Sequence, residues 1–407
     1  MTDTTVDADA ALAEGFDLAA PPEGFAEDPF PVYRALLAHA PVKRFADGSV
    51  MLSRWEDLDR VYRDARTFSS AKFEEFRPKY GADSPLYAHH TTSLVFNDPP
   101  LHTRVRKILV GALTPRAIAA MEPQLAALVD RLLEEMPERA DLVADYASRI
   151  PVEVIGNLFD IPHEERGPLR DWSLAILGAL EPVLSPEAEA RGNAAVVAFS
   201  DHLRDLVARR RRAPGDPATD VLTRLVQAEP GLSGPELIQN CIFILNAGHE
   251  TTTNLIANAL HALCEWPRER ARLIADPEGL GESAVDEFLR FQSPNQLGNR
   301  AATEAVEFHG ETLPAGTRIH LCIGAANRDP RRFEDPDRLD LSRRPNKHLA
   351  FAGGPHTCLG FTLARMEGRV AITRFLVRRP RYALEGPAPR TGRVRFRGFD
   401  RLPARLG

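Results

Sequence analysis

Cysteine is scarce in this chain, and several other features are missing. Only four cysteines occur among 407 residues, and no two of them form a Cys-x-x-Cys pair. A disulfide framework or a zinc site built from cysteines alone is therefore not expected. No apolar run approaches the roughly 20 residues that a membrane-spanning helix requires. The first residues lack the basic and apolar regions of a secretory signal, so we expect a cytoplasmic protein without a membrane anchor.

A strong excess of charge of one sign is also absent. The formal net charge is −6, 27% of the residues are charged and 7% are aromatic. A nucleic-acid-binding protein would carry a basic surface with interleaved aromatic side chains, and the sequence has no such patch. Nucleic acid is therefore not an expected partner. The hydrophobic fraction of 43% is that of an ordinary globular protein with a sizeable core.

Helical patterns dominate what is present. Residues from Pro115 to about Glu229 are almost continuously helical in pattern. The longest predicted helix follows, from Pro235 to about Glu265, and it is apolar on nearly every face. A helix of this kind belongs in the centre of a protein.

Strands and loops are short or irregular by comparison. Residues 68–94 are predicted to form a long loop, and a Pro-punctuated stretch precedes residue 351. We expect residues 1–22 to be disordered and residues 23–407 to form one mainly α domain with small β-sheets. The predicted strands are a hairpin at 42–52, short strands at 306–308 and 319–323, and a last hairpin at 393–396.

The most distinctive stretch is FAGGPHTCLG, from Phe351 to Gly360. A loop rich in glycine and proline delivers Cys358 to the start of a predicted helix, where free backbone N–H groups and the helix dipole favour a thiolate. The glycines leave room for a flat group against the backbone. A thiolate held there could bind a soft metal such as haem iron, although a lone cysteine in a loop is more often an ordinary buried residue.

A second distinctive stretch, AGHETT at 247–252, interrupts the predicted central helix. Glycine in a helix interior costs about 1 kcal/mol relative to alanine. The hydroxyl of Thr251 can bond to the carbonyl one turn earlier and bend the helix. The carboxylate of Glu250 is costly in an apolar helix unless it is paired or used. The alternative is an exposed polar patch on one face.

These stretches resemble, in order along the chain, the signatures of the cytochrome P-450 family. The cysteine stretch resembles its haem-thiolate loop, with Ala352 where glycine is usual, and AGHETT resembles its oxygen-activation signature. The pair Glu287 and Arg290 resembles a structural ion pair of the family, whose third partner would be Arg343. The resemblance extends from about residue 29 to the C-terminus.

The resemblance implies the cytochrome P-450 fold, a triangular helical prism with a long central helix over a haem b. The axial iron ligand would be the thiolate of Cys358. By the same resemblance, Thr251 donates a hydrogen bond to dioxygen and Glu250 helps to relay protons. The implied cofactor contacts are His102, Arg106, Ala247, Gly248, Arg300, Phe351, His356 and Gly360. The implied substrate-lining residues are Leu94, Leu245, Leu297, Gly298 and Phe399.

The family resemblance further implies a bacterial-type, soluble monooxygenase. It would insert one atom of O2 into a small-to-medium, mostly apolar substrate, by hydroxylation or oxidative dealkylation. The alternatives are a peroxide-driven haem-thiolate enzyme and a haem-bearing module that recruits a partner without catalysis. Retention of Glu250 and Thr251 disfavours both. A monomer is expected, and Arg395 and Arg397 either hold a substrate carboxylate or are solvated.

Electrons would come from a separate ferredoxin and an NAD(P)H-dependent ferredoxin reductase, because no flavin- or iron–sulfur-binding segment is present. We expect a basic patch beside the cysteine loop, on which an acidic ferredoxin docks. The alternative is that these cations are ordinary solvated side chains. The residues of the expected patch are Arg104, Lys107, Arg344 and Lys347.

Overall fold

The computed structural model describes residues 3–217, 219–228 and 231–407, and helices make up most of it. Within this part, no helix is both long and apolar enough to cross a membrane. The helices are α1 (Asp3–Gly15), α2 (Phe30–His39), α3 (Trp55–Arg63), α4 (Phe73–Tyr80), α5 (Pro85–Thr92), α6 (Leu101–Ala112), α7 (Pro115–Glu135), α8 (Arg149–Leu158), α9 (Leu169–Gly178), α10 (Pro186–Arg212), α11 (Val221–Val226), α12 (Gly234–Glu265), α13 (Pro267–Ala275), α14 (Pro277–Phe291), α15 (Ile323–Ala326) and α16 (Phe361–Arg378).

The strands form three small sheets. In the largest, with the order β1-β2-β8-β5-β3, β2 and β8 are parallel and the other neighbours are antiparallel. The second sheet has the order β4-β10-β9, and the third pairs β6 with β7. The strands are β1 (Val42–Arg44), β2 (Val50–Leu52), β3 (Phe68–Ser69), β4 (Arg139–Asp141), β5 (Leu297–Ala302), β6 (Val306–Phe308), β7 (Glu311–Leu313), β8 (Arg318–Cys322), β9 (Ala383–Leu384) and β10 (Pro403–Arg405).

Helix α12 is the central helix that the apolar pattern predicts. It begins with a capping box, in which the Ser233 hydroxyl accepts from the Glu236 N–H and the Glu236 carboxylate accepts from the Ser233 N–H. It ends at Glu265, just before a second proline. Helices α8, α9, α10, α14 and α16 pack around it. Because neighbours surround it, most of its length is buried, polar motif included.

The structure differs from the sequence-based expectation for residues 68–94, which are not one long loop. Helices α4 and α5 form there, and the Ser84 side chain caps α5 by accepting from the Tyr87 N–H. Phe76, Tyr80 and Leu86 are buried in the main core. The apolar spacing within each helix is too short to identify from sequence, so burial against other elements decides it.

The two chain ends also differ from the expectations. In the predicted disordered segment 1–22, α1 lies against α2, and Phe16 and Leu18 are buried in a cluster with residues of α2. The burial of these side chains offsets the entropy that keeps a polar segment unfolded. Residues 393–396 form no hairpin and contribute only an isolated bridge between Phe396 and Asn295.

Candidate active site

The cysteine loop is held by its own backbone hydrogen bonds. The Cys358 N–H donates to the Phe351 carbonyl at 2.9 Å, and the Ala352 N–H donates to the Leu349 carbonyl at 2.9 Å. Helix α16 begins three residues beyond Cys358, with Gly360 as its N-cap residue. The cysteine therefore lies just before the helix, within reach of its first free N–H groups.

The start of helix α16 is not sufficient by itself to convert the Cys358 thiol into a thiolate. Burial raises its pKa, while the Gly360 N–H and the Arg106 guanidinium act in the opposite direction and are outweighed. The start of the helix lowers the pKa of Cys358 as expected, but by less than desolvation raises it. A metal cation bound to the sulfur would supply the missing stabilisation of the anion.

Four basic side chains from three parts of the chain meet beside this loop. His102 and Arg106 lie on α6, Arg300 lies on β5, and His356 lies in the loop itself. The rings of His102 and His356 have centroids 4.0 Å apart, and an Arg106 Nη donates to the Thr357 carbonyl at 2.8 Å. Burial, together with the charges of Arg300, His102 and Arg106, lowers the pKa of His356 to about 2.

These side chains fit the carboxylates of a haem. Both ring nitrogens of His102 and the Nε2 of His356 are buried without a hydrogen-bond partner. The guanidinium of Arg300 is buried, and among the described residues it donates only to the neighbouring Asn299 carbonyl. Buried donors without acceptors are rare and point to an anionic ligand. No atom lies within 4 Å of the position that a Cβ on Gly360 would occupy, which leaves space beside the cysteine.

One stripe of α12 is open while its surroundings are buried. Phe243, Ala247, Gly248 and Thr251 are partly exposed, and Leu245, Asn246, His249 and Glu250 are buried. Residues four apart share a helix face, so Phe243, Ala247 and Thr251 form this stripe. The spacing of Phe243 from Ala247 and Thr251, which puts them on one helix face, is already visible in the sequence.

Thr251 and Gly248 of the AGHETT stretch have different structural reasons for their presence. The Thr251 hydroxyl donates to the Ala247 carbonyl at 2.8 Å, which is the expected bond to the preceding turn. The position of a Cβ on Gly248 is 2.5 Å from Cδ1 of Ile155 on α8. Glycine at 248 therefore allows close packing of α8, whereas the resemblance implies that this residue contacts the cofactor.

Glu250 is buried and paired with a residue that the sequence analysis did not assign. An Arg393 Nη donates to Glu250 Oε1 at 2.5 Å, and Oε2 has no hydrogen-bond partner in the part of the chain that the structure describes. Burial raises the pKa of the Glu250 carboxyl to about 7, against the opposing charge of Arg393. Arg393 also donates to the Leu174 carbonyl in the middle of α9. The only sequence signal was the alternation of residues 393–396, since the partners are 143 positions apart.

The structure brings Glu287, Arg290 and Arg343 together. Glu287 accepts two hydrogen bonds of 2.8 Å from Arg290, and Arg343 Nε lies 3.2 Å from Glu287 Oε2. The Glu287 and Arg290 side chains are fully buried. Arg290 also donates to the carbonyls of Asn327, Pro336 and Arg338. The triad therefore joins α14 to the extended stretch that leads to the cysteine loop.

The residues expected to line the substrate space are not all placed together. Leu245 is buried on the far side of α12 from Ala247, and Leu297 packs into the cluster around α2. Phe399 stacks on His261, more than two helical turns beyond Thr251. The position of a Cβ on Gly298 is 2.5 Å from the Tyr62 hydroxyl oxygen. Leu94 is buried in the main core beside α12, where its N–H donates to Asn240.

Comparison with known proteins agrees with the class of protein that the site indicates. A family model described as Cytochrome P450 matches residues 280–379. Vitamin D(3) 25-hydroxylase of Pseudonocardia autotrophica is 39% identical over 396 residues, which cover 94% of this chain and 95% of the relative. The Biotin biosynthesis cytochrome P450 of Bacillus subtilis strain 168 is 32% identical over 366 residues, covering 88% and 90%.

A solved structure shows the same likeness in three dimensions. It is P450BioI in complex with acyl carrier protein ligated to hexadec-9Z-enoic acid. The TM-score is 0.89 at 31% identity, and the match covers 94% of this chain and 99% of that chain.

The chain belongs to the cytochrome P450 family. The predicted fold class is confirmed, and the protein is a P450 oxidoreductase with a haem b cofactor and an axial cysteine thiolate from Cys358.

Proposed function

We propose that this chain inserts one oxygen atom of O2 into a small-to-medium, mostly apolar organic substrate, by hydroxylation or oxidative dealkylation. When bound, the haem supplies the dioxygen chemistry, in which the second oxygen atom leaves as water. We further propose that His102, Arg106, Arg300 and His356 hold its two carboxylates. This assignment is supported by the buried ring nitrogens of His102 and His356, which have no hydrogen-bond partner among the described residues, and by the burial of Arg300.

The proposal rests on one observation, the placement of a partly exposed hydroxyl beside a buried carboxyl on the central helix. Thr251 lies on the open stripe, and Glu250 is the next residue. A carboxyl whose pKa is raised to about 7 by burial can accept and release a proton at neutral pH. Glu250 therefore relays protons, and Thr251 orients the oxygen and passes the proton on. Arg393 holds the carboxyl in position.

The electron supply, the assembly and the location belong to the same proposal. Ferredoxin and an NAD(P)H-dependent reductase supply two electrons for each turnover, and the protein acts as a cytoplasmic monomer. Residues 23–407 form one domain. The five-stranded sheet supports this last point, because it joins β1–β3 from the first fifth of the chain to β5 and β8 from its last third.

Two threonines of α12 allow a matched test. Thr251 and Thr253 both donate to the carbonyl four residues earlier, but only Thr251 lies on the open stripe. With surrogate ferredoxin and reductase, Thr251→Ala should still consume NAD(P)H, while product per NAD(P)H falls about tenfold or more. The missing electrons and protons should appear as hydrogen peroxide. Thr253→Ala should keep the coupling of the parent protein.

The ratio of product to NAD(P)H, with peroxide measured in the same sample, decides the outcome. Equal coupling in Thr251→Ala and the parent would rule out the role assigned to the hydroxyl. A parent that forms product with hydrogen peroxide but never with NAD(P)H and partner proteins would contradict the proposed electron supply.

A further inference from the structure

A group of buried and half-buried charges lies between α4, the end of α9 and the segment that carries Arg393. We refer to Lys72, Glu75, Lys79, Glu181 and Arg395 as the buried charge cluster. Lys72 is 1% exposed, and Arg395 is 9% exposed. Charges at such positions cost several kcal/mol each unless they are paired. Each charge of the cluster therefore requires a partner.

The two lysines have incomplete partners. The Lys72 ammonium lies 3.0 Å from Glu75 Oε2 and has no well-formed hydrogen bond. Burial lowers the pKa of Lys72, and the charge of Glu75 only partly opposes this. The Lys79 ammonium donates to the Glu181 backbone carbonyl at 2.7 Å. Burial, with a smaller effect from the charge of Arg395, lowers the pKa of Lys79 to about 8.

Arg395 is held by neutral groups. Its Nε donates to the Leu180 carbonyl at 3.1 Å, and its Nη1 donates to the Leu297 carbonyl at 2.9 Å. The Glu181 carboxylate accepts from the backbone N–H groups of Val394 and Arg395, and its other oxygen has no partner. No carboxylate of the described residues is hydrogen-bonded to the Arg395 guanidinium. This contrasts with Arg393, which has Glu250.

The cluster has an excess of positive charge. It contains three cations and two carboxylates, and one of the carboxylates is engaged by backbone N–H groups. The neighbouring His320 adds no charge, because burial lowers its pKa to about 4. The nearby Asp47 is paired with Arg318. One buried cation therefore lacks a counter-ion, which a bound anion would supply.

The position of the cluster connects it to the proposed active site. Arg395 lies two residues beyond Arg393, which holds Glu250 of the central helix. Its Nη1 bonds to β5, the strand that carries Arg300. Arg397, by contrast, is fully engaged with Gln292 and the carbonyls of Ala26 and Glu27. Of the two arginines considered in the sequence, only Arg395 is available to an anion beside the site.

We propose that the buried charge cluster binds the carboxylate of the substrate, so that the substrate is an organic acid with an apolar body. The carboxylate pairs with Lys72 and Arg395, and the apolar body extends toward the open stripe of α12. This inference rests on the proposed function and specifies its substrate class. A desolvated charge-assisted hydrogen bond of this kind raises the affinity about tenfold or more.

Binding of matched probes to the ferric holoenzyme tests the inference. Dodecanoate and dodecanol have the same alkyl chain and differ in the charge of the head group. Their dissociation constants are measured by titration of the haem absorbance and by calorimetry. The parent should bind dodecanoate at least about tenfold more tightly than dodecanol, as the energy of one charge-assisted bond predicts. Acetate should not compete, because it lacks the apolar body.

Substitutions then test whether Lys72 and Arg395 cause the preference for dodecanoate over dodecanol. Lys72→Met and Arg395→Met should reduce the ratio of the two dissociation constants to near one while leaving dodecanol affinity unchanged. Arg395→Lys should keep part of the preference. Arg77→Met is the matched control, because Arg77 is exposed on the same helix as Glu75 and Lys79. An unchanged band of the reduced carbon monoxide complex shows that each variant is folded.

The inference is overturned if the parent binds acid and alcohol equally, if it binds neither, or if both methionine variants keep the preference. Displacement of dodecanoate by equimolar acetate would also overturn it, because the site would then be one for small anions. None of these results affects the coupling measured for Thr251→Ala. Failure of the substrate class is therefore distinguishable from failure of the proposed monooxygenase activity.

Discussion

Two residues of the cysteine loop have backbone angles that favour glycine. Ala352 has a φ of 56° and Gly354 a φ of 61°. An alanine in this left-handed region costs roughly 1–2 kcal/mol, which explains why the family usually has glycine where this chain has Ala352. At Gly354 the restriction is steric as well, because a Cβ there would overlap the backbone carbonyl oxygen of Tyr62. The loop therefore tolerates a methyl group at one position and excludes it at the other.

This contrast predicts opposite outcomes for two single substitutions. Gly354→Ala should shift the loop against α3 and lower the haem content of the purified protein several-fold. Ala352→Gly should keep the haem content and change the thermal midpoint only slightly, since relief of strain offsets the added entropy of the unfolded chain. The ratio of haem to protein and the thermal midpoint are measured for both variants. A fully loaded Gly354→Ala protein would contradict the steric argument.

The axial ligand gives a second prediction at this scale. Cys358→Ser should abolish the red-shifted Soret band of the reduced carbon monoxide complex, because a hydroxyl does not replace a thiolate as a soft ligand. Cys322→Ser is the control, since Cys322 is buried on β8 in the cluster around α2. Its band should stay at the parent wavelength. A normal band in Cys358→Ser would refute the ligand assignment.

Helix α16, which directly follows the cysteine loop, contains a buried acid. Glu367 is 2% exposed, and one carboxylate oxygen has no hydrogen-bond partner. Burial alone raises the pKa of Glu367 to about 8. The folded state therefore holds a proton that the unfolded state releases above about pH 4.5. The contribution of Glu367 to stability is fully present below that pH and is lost as pH rises through about 8.

Glu367→Gln should remove this dependence, because glutamine stays neutral. At pH 8.5 the variant should be more stable than the parent by on the order of 5 kcal/mol, because the pKa of the Glu367 carboxyl rises from about 4.5 to about 8 on folding. At pH 5 the two proteins should be nearly equal. Thermal midpoints of both holoenzymes are measured from pH 5 to 8.5. Parallel curves across this range would show that Glu367 is not buried as a neutral acid.

On the surface of the molecule, the expected basic patch beside the haem has fewer unpaired cations than the sequence suggests, because one of its four cations forms an ion pair. Arg104 forms an ion pair with Glu236, the residue that completes the cap of α12, so its charge is already used. Lys107, Arg344 and Lys347 are exposed. Lys107 is therefore a better probe of electron-donor docking than Arg104, whose loss would also disturb the central helix.

Lys107→Glu should slow the first electron transfer from an acidic ferredoxin by about threefold to tenfold at low salt, and the salt dependence should become shallower. Arg401→Glu makes the same change in net charge at an exposed position near the C-terminus and should have little effect. Rates are measured by stopped-flow absorbance over a range of ionic strength. Equal rates and salt slopes in the two variants would exclude docking at Lys107.

Features that depend on neighbouring residues follow from the sequence alone. The pattern predicts the central helix at Pro235–Glu265, and the structure has it at Gly234–Glu265, because periodic apolar residues and a capping box lie within one stretch. The family signatures are likewise contiguous or separated by a few residues. The haem-thiolate class follows from them and is confirmed by the comparisons.

Contacts between distant residues, and the burial of whole segments, depend on the tertiary structure. Arg393 reaches Glu250 across 143 positions, and no local pattern encodes that contact. Helices α1 and α4 are too short or too polar to form by propensity, and they form where other elements cover their apolar side chains. The same burial removes water from Glu250 and Lys79 and so shifts their pKa values to about 7 and about 8. Desolvation is a property of the packed molecule, and it gives these side chains their chemistry.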